Sequence, residues 1–384
     1  MVNRTVPFPE ELSQPGRKEI RELKRVLIAG FILISGLFSN EPDILNDAAK
    51  MVRKFMRQHF IPGLSITVAD QGTIVWSEGF GFADRRNRER VTPETKMRIG
   101  SVSKTVTAAG AALLYDQELL DLDEPVQQYV PYFPEKRWPI TTRQLMGHIS
   151  GIRHYRENEM LGDRFYPNVQ DGLEIFSKDT LLFKPETEYS YSSYAWNLVS
   201  SVMEGAAGED FLMFMERNVF NPLEMHSISP EHRDSTLLHL ATFYTVRPIF
   251  NIGDYSFFKM RKESEHVDNS YKWAGGGFVS NTRDLVLFGL SHLDDTFLKP
   301  EIIEMWQASQ VTSEGEKTNY GLGWRSGETK TGLRWVGHSG GSVGGRAMFV
   351  IIPEERFVIA ILVNSSPGGS LEELAMDVLG QFLK

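Results

Sequence analysis

The hydrophobic rhythm of the chain changes several times along its length. Residues 26–38, VLIAGFILISGLF, form one apolar run of thirteen residues. That is short of the ~20 residues a membrane-spanning helix needs, and it matches the apolar core of a signal peptide. The net basic stretch RKEIRELKR stands before it. Residues 1–40 are therefore expected to be a signal or membrane-anchor segment, with export to an extracytoplasmic compartment or a tether through 26–38. A buried or docked N-terminal helix is the alternative. A mitochondrial transit peptide is disfavoured, because Glu10, Glu11, Glu19 and Glu22 break its acid-poor pattern.

Beyond residue 40 the period becomes helical, with Ile44, Leu45, Ala48, Ala49, Val52 and Phe55 on one face. PGLSITVADQGTIVWSEGFGFAD then reads as two strands about an Asp70-Gln71-Gly72 turn. VSKTVTAAGAALLYDQ, rich in Ala and Leu with a polar face, predicts a helix from Val102 to about Gln117. The middle of the chain, roughly 100–310, reads as helix and loop. Strand character returns in YGLGWRSG, RWVGHSGG, GGRAMFVIIP and RFVIAILVN, and LEELAMDVLGQFLK closes with an amphipathic helix. Strands at both ends around a helical middle predict an α+β protein. One antiparallel sheet is built from both chain ends and flanked by helices, with an inserted, mostly helical lobe. The sheet lobe is expected at about 50–98 and 315–384, and the helical lobe at about 99–314, within one domain spanning 41–384.

Composition narrows the chemistry. The net charge is −9 and no basic block is interleaved with aromatics, so nucleic acid is not expected as a partner. The absence of cysteine excludes disulfides, thiolate metal sites and cysteine catalysis. His148 and His154, in GHISGIRHY, come closest to a histidine cluster. Without a carboxylate at ligand spacing they are expected to be hydrogen-bonded structural residues. Neither a metal nor an organic cofactor is expected.

Three motifs compete for the role of nucleophile. GHSGG at 337–341 fits G-x-S-x-G, the nucleophile elbow of α/β-hydrolases. That triad needs a histidine later in the chain, and His338 is the last one here. The elbow also needs a following helix, whereas SVGGRAMFVIIP reads as a strand, so Ser339 is not the expected nucleophile. The second chemistry is Ser-x-x-Lys, which puts an amine beside a hydroxyl on one helix face. It occurs as SVSK at 101–104 and SFFK at 256–259. Ser101 opens a predicted helix, where its own N–H and the helix dipole face a developing oxyanion. Ser256 has no helix-start signal around it.

SVSK, then YSS at 191–193, then HSG at 338–340 resembles the ordered S-x-x-K, Y-x-N and [KH]-[ST]-G motifs of the serine β-lactamase and penicillin-binding-protein superfamily. The flanks LLDLDEPVQQYVP, WNLVSSVMEGAAG and AGGGFVSNTRDLVLFG are similar to its segments as well, so the resemblance covers about 50–384. GHISGIRHY and VDNSYKWAGGGF are particularly similar to segments of the mitochondrial serine β-lactamase-like group and its bacterial relatives. The resemblance implies a β-lactamase/transpeptidase-like fold and a serine hydrolase working through an acyl-enzyme, most simply a peptidase or amide hydrolase.

By position, the resemblance makes Ser101 the nucleophile, Lys104 the group that takes its proton or holds the network together, and Tyr191 a second acid–base. His338, Ser339 and Gly340 then lie on an edge strand lining the cleft, Gly341 pairs its N–H with that of Ser101 as oxyanion hole, and Ser193 faces substrate. A carboxylesterase on the same site is the alternative. So is a self-assembling protein with little catalysis, because a filament-forming member exists; that group also makes the mitochondrion an alternative location. Two positions depart from the superfamily. Ser193 replaces Asn and His338 replaces Lys, which weakens recognition of a β-lactam or D-Ala-D-Ala peptide. Arg346 or Lys272 is left to supply a cleft cation. The literal KTG at 330–332 reads as a polar turn.

Overall fold

The computed structural model describes residues 41–234, 236–252 and 255–383. The expected signal or anchor segment lies outside the described residues. The chain forms two compact units, Met1–Ala49 and Lys50–Lys384. In the first, the described residues begin the helix α1 (Glu41–His59). Among the described residues, no helix is long and apolar enough to cross a membrane.

The second unit is built on a seven-stranded antiparallel sheet. Its strands are β1 (Gly63–Asp70), β2 (Thr73–Asp84), β3 (Glu89–Arg90), β4 (Arg325–Glu328), β5 (Arg334–Ser342), β6 (Gly345–Ile352) and β7 (Phe357–Val363). The spatial order is β3-β2-β1-β7-β6-β5-β4, so the early hairpin and the late strands meet where β1 pairs with β7, Leu64 opposite Val363. This is the α+β arrangement expected, with the sheet drawn from both ends of the chain. β7, FVIAILV, is buried along its whole length, which explains a continuous apolar run rather than an alternating one. Neighbouring residues on a strand point to opposite faces. Val358 accordingly meets Gly289, while Phe357 meets Phe382, so helices cover both sides of β7.

Three local expectations are corrected. YGLGWRSG is not one strand: Tyr320 makes an isolated bridge to Arg325, Gly323 turns the chain at φ +86°, and β4 begins only at Arg325. The middle region is not free of strands, because Tyr244–Ile252 and Tyr255–Glu263 form a hairpin. Ser256 lies in that hairpin, which removes the second Ser-x-x-Lys from helical register. The helix α2 (Ser103–Asp116) has no solvent-facing polar side over its first two turns. Ser103, Lys104, Thr105 and Thr107 are all fully buried, turned toward the interior.

Candidate active site

Ser101 sits in a single 3-10 turn, Gly100–Val102, that feeds directly into α2. Strand β5 runs past this turn. β4 pairs with β5 only from Arg334 to Gly337, which leaves the His338–Ser342 half without a β4 partner. That half approaches the turn with almost no clearance. A Cβ on Gly340 would lie 1.9 Å from the Ile99 carbonyl oxygen, and one on Gly100 would lie 2.7 Å from the Gly341 nitrogen. Gly100 also holds φ at +51°, a conformation costly for a side chain. The glycines therefore lock strand to turn. Gly340 is corrected on this point: it faces the Ile99 backbone and does not line the cleft, whereas Gly341 does and has open space at its Cβ position.

The Tyr191 segment is fixed by a helix start. Ser192 caps α3 (Ser193–Ala207), its hydroxyl accepting from the Ala195 N–H at 3.0 Å and donating to the Arg153 carbonyl at 2.7 Å. The two histidines of GHISGIRHY hold the same segment. His148 Nδ1 accepts from the Ser192 N–H and His154 Nδ1 from the Ser193 N–H, each at 3.1 Å. Both rings pack against Tyr191, with centroids at 4.3 and 5.5 Å.

These elements bring together Ser101, Lys104, Tyr191 and Ser193. Lys104 Nζ stands 3.2 Å from Ser101 Oγ, 3.2 Å from Ser193 Oγ and 2.5 Å from the Gly275 carbonyl oxygen. The Tyr191 hydroxyl donates to Ser101 Oγ at 2.8 Å. Lys104 is fully buried, and desolvation, helped by the charge of Lys272, drives its pKa well below the ordinary lysine value. Burial pushes the Tyr191 phenol upward, so it keeps its proton at neutral pH.

His338 is buried, with Nδ1 2.6 Å from the Ser339 carbonyl oxygen and Nε2 2.8 Å from the Tyr320 hydroxyl. The carbonyl can only accept, so Nδ1 carries the proton and the Tyr320 hydroxyl donates to Nε2. Burial lowers the pKa of His338 to about 3, with Lys104 contributing. This imidazole is neutral and serves as a strut. Ser339 Oγ accepts from Arg325 Nη1 at 3.0 Å. The 330–332 KTG is a turn closed by the Gly332 N–H on the Thr329 carbonyl.

A cleft of about 580 Å³ lies over these groups, lined by Ser101, Tyr191, Ser193, His338, Ser339 and Gly341 among others. Its remaining wall includes His154, Tyr155, Tyr189, Tyr320, Lys272, Arg325 and Arg346. Tyr189, Tyr320 and Arg325 were not singled out from sequence. Nothing in their local context marks them, because the fold alone carries them to the cleft. Among the described residues no group of three or more His, Cys, Asp or Glu is arranged to hold a metal.

Comparison with known proteins agrees with this arrangement. The human serine beta-lactamase-like protein LACTB, mitochondrial, is 30% identical over 389 residues, covering 77% of this chain and 69% of that protein. The D-aminopeptidase of Brucella anthropi is 28% identical over 332 residues, covering 83% and 59% of the two chains. Among solved structures, the D-amino acid amidase from Ochrobactrum anthropi SV3 superposes with a TM-score of 0.75 at 21% identity, covering 89% and 99%. That likeness is one of fold, the β-lactamase/transpeptidase-like fold, in which other homologues are amidases and peptidases. The family model for beta-lactamase matches residues 48–381, and with a site of this composition beneath it the chain belongs to the beta-lactamase family.

Proposed function

We propose that the protein is a serine hydrolase that cleaves peptide or amide-like substrates through an acyl-enzyme on Ser101. The observation that carries this reading is the shared position of Ser101 Oγ, 3.2 Å from a buried lysine amine and 2.8 Å from a protonated phenol. A neutral amine has two N–H groups and one lone pair. The acceptors Gly275 O and Ser193 Oγ take the two N–H groups, which leaves the lone pair for the Ser101 proton.

Acylation then balances as follows. The Oγ–C bond forms as the proton moves to Lys104. The C–N bond breaks as the Tyr191 phenol gives its proton to the leaving nitrogen, and Lys104 restores the phenol. Water reverses the sequence to release the acid. The N–H groups of Ser101 and Gly341 hold the oxyanion in both steps. Ser193 positions Lys104, while His338 and Ser339 shape the strand wall. In this reading residues 41–384 are the hydrolase domain, divided into sheet and helical lobes, and residues 1–40 are a signal or anchor segment placing it outside the cytoplasm. The mitochondrial location of the human relative supports the alternative.

The test is labelling with a serine-directed acylating probe, followed by mapping of the adduct. The adduct is expected on Ser101 and absent from Ser101→Ala; an adduct on Ser339 would refute the proposal. The aromatic wall of Tyr155, Tyr189, Tyr191 and Tyr320 favours a second reading, a carboxylesterase on the same residues. Comparing p-nitrophenyl esters with peptide anilides separates the two.

A further inference from the structure

Three cationic side chains and no carboxylate line the cleft of a protein whose net charge is −9. Two of the three are already engaged. Arg325 donates to Ser339 Oγ and stands 3.6 Å from Glu372. Arg346 donates to the carbonyls of Ser365 and Gly369 at 3.3 and 2.6 Å.

Lys272 differs from both. It is 3% exposed, and among the described residues its ammonium makes no hydrogen bond and no ion pair. It faces the rings of Tyr155 and Tyr271 at 5.8 and 5.3 Å. The acids that influence it are occupied elsewhere. Glu231 is paired with Arg98 at 2.7 Å and accepts from Asn269 at 2.7 Å. Asp268 accepts from the N–H groups of Ser270 and Arg233 at 2.8 and 3.0 Å. A buried ammonium without an oxygen partner is costly, and a ligand oxygen removes that cost.

The His154 ring also packs on Tyr155, with centroids 4.5 Å apart. Because its Nδ1 accepts the Ser193 N–H, the neutral ring carries its proton on Nε2. Burial and the neighbouring Lys104 lower the pKa of His154 to about 4, which keeps it neutral. Among the described residues that Nε2–H meets no acceptor. Two donors packed near one aromatic ring thus stand among the cleft-lining residues without protein partners among the described residues.

We infer that Lys272 and His154 form a recognition corner for a substrate carboxylate, on the wall supplied by the helical region rather than on the His338–Ser342 strand. The carboxylate is that of an acidic side chain or of a chain terminus. The inference rests on the hydrolase reading for its meaning in turnover, but its test reads binding alone.

Full-length Ser101→Ala protein is titrated calorimetrically with three peptides of one sequence. The first is blocked at both ends and carries one Glu, the second is its Gln twin, and the third is the Gln twin with a free C-terminal carboxylate. The expected result is that one carboxylate peptide binds about 10- to 100-fold tighter than the neutral twin, as a charge-assisted contact provides. Which of the two does so identifies the source. Lys272→Met erases the preference, Lys272→Arg retains most of it, and His154→Leu reduces it severalfold. The inference is overturned if neither carboxylate peptide binds more tightly than the neutral twin. It is equally overturned if the preference survives Lys272→Met and His154→Leu but is lost in Arg325→Leu. Failure of the Ser101 adduct would instead sink the acyl-enzyme and leave this preference intact.

Discussion

Gly340→Ala should disable the site without touching any group that takes part in the chemistry. The added Cβ would sit 1.9 Å from the Ile99 carbonyl oxygen, whereas real Cβ contacts essentially never fall below 3.0 Å. The obstacle is backbone, so strand β5 and the Ser101 turn must part by at least the difference, about 1.1 Å. In the proposed mechanism an oxyanion donor works at about 2.7–3.1 Å, and a separation of that size would take the Gly341 N–H out of range. Losing one such donor costs about 10²–10³ in kcat, and the forced repacking costs about 1–3 kcal/mol of stability. The control is Gly341→Ala, whose Cβ meets nothing within 4 Å. It should leave the melting temperature unchanged. Steady-state kcat on a p-nitrophenyl ester, with calorimetric melting of the same preparations, reads both quantities. A Gly340→Ala enzyme within threefold of wild-type kcat and with unaltered melting would show that strand and turn are not locked as described.

Lys104→Ala and Tyr191→Phe should each slow acylation by about 10²–10⁴, read in single-turnover experiments; an undiminished rate in either removes that residue from the mechanism. Glu231→Leu strands the buried Arg98 guanidinium, now held at 2.7 Å, and should cost about 3–5 kcal/mol in urea unfolding. The buried imidazoles should make the fold acid-sensitive. His338 and His292 are held near about 3 and about 4 by burial, below the ordinary 6.5, so between those values the unfolded chain binds protons that the folded chain refuses. Stability should therefore be intact above pH 6.5 and fall on acidification by up to about 1.4 kcal/mol per pH unit for each group. Urea midpoints between pH 7.5 and pH 5 measure that slope, and a flat profile would contradict the neutral assignment.

The local part of the site was legible in the sequence. Ser101 and Lys104 are one helical turn apart, so their meeting needs nothing beyond the backbone. The architecture was legible too, because strand-like runs at both ends of a chain need one another to complete a sheet. What sequence could not give was direction. Gly340 and Gly341 are chemically identical, yet one packs on Ile99 and the other opens to the cleft, a difference set by the pleat. The hairpin Tyr244–Ile252 and Tyr255–Glu263 was missed because Pro248 interrupts its first strand, and the register does shift just after that proline. Lys272 was a candidate cation with no address; the buried segment Ser270–Gly277 carries it to the cleft wall.

The junction of β1 with β7 has a consequence for the timing of synthesis. Ser101, Lys104 and Tyr191 are all made in the first half of the chain, but the strand that closes over Ser101 spans Arg334–Ser342, and β6 and β7 follow it. A growing chain therefore holds Ser101, Lys104 and Tyr191 well before the strand that packs against the Ser101 turn exists. The Ser101 turn gains its strand contact only once Arg334–Ser342 has been made and has joined the sheet.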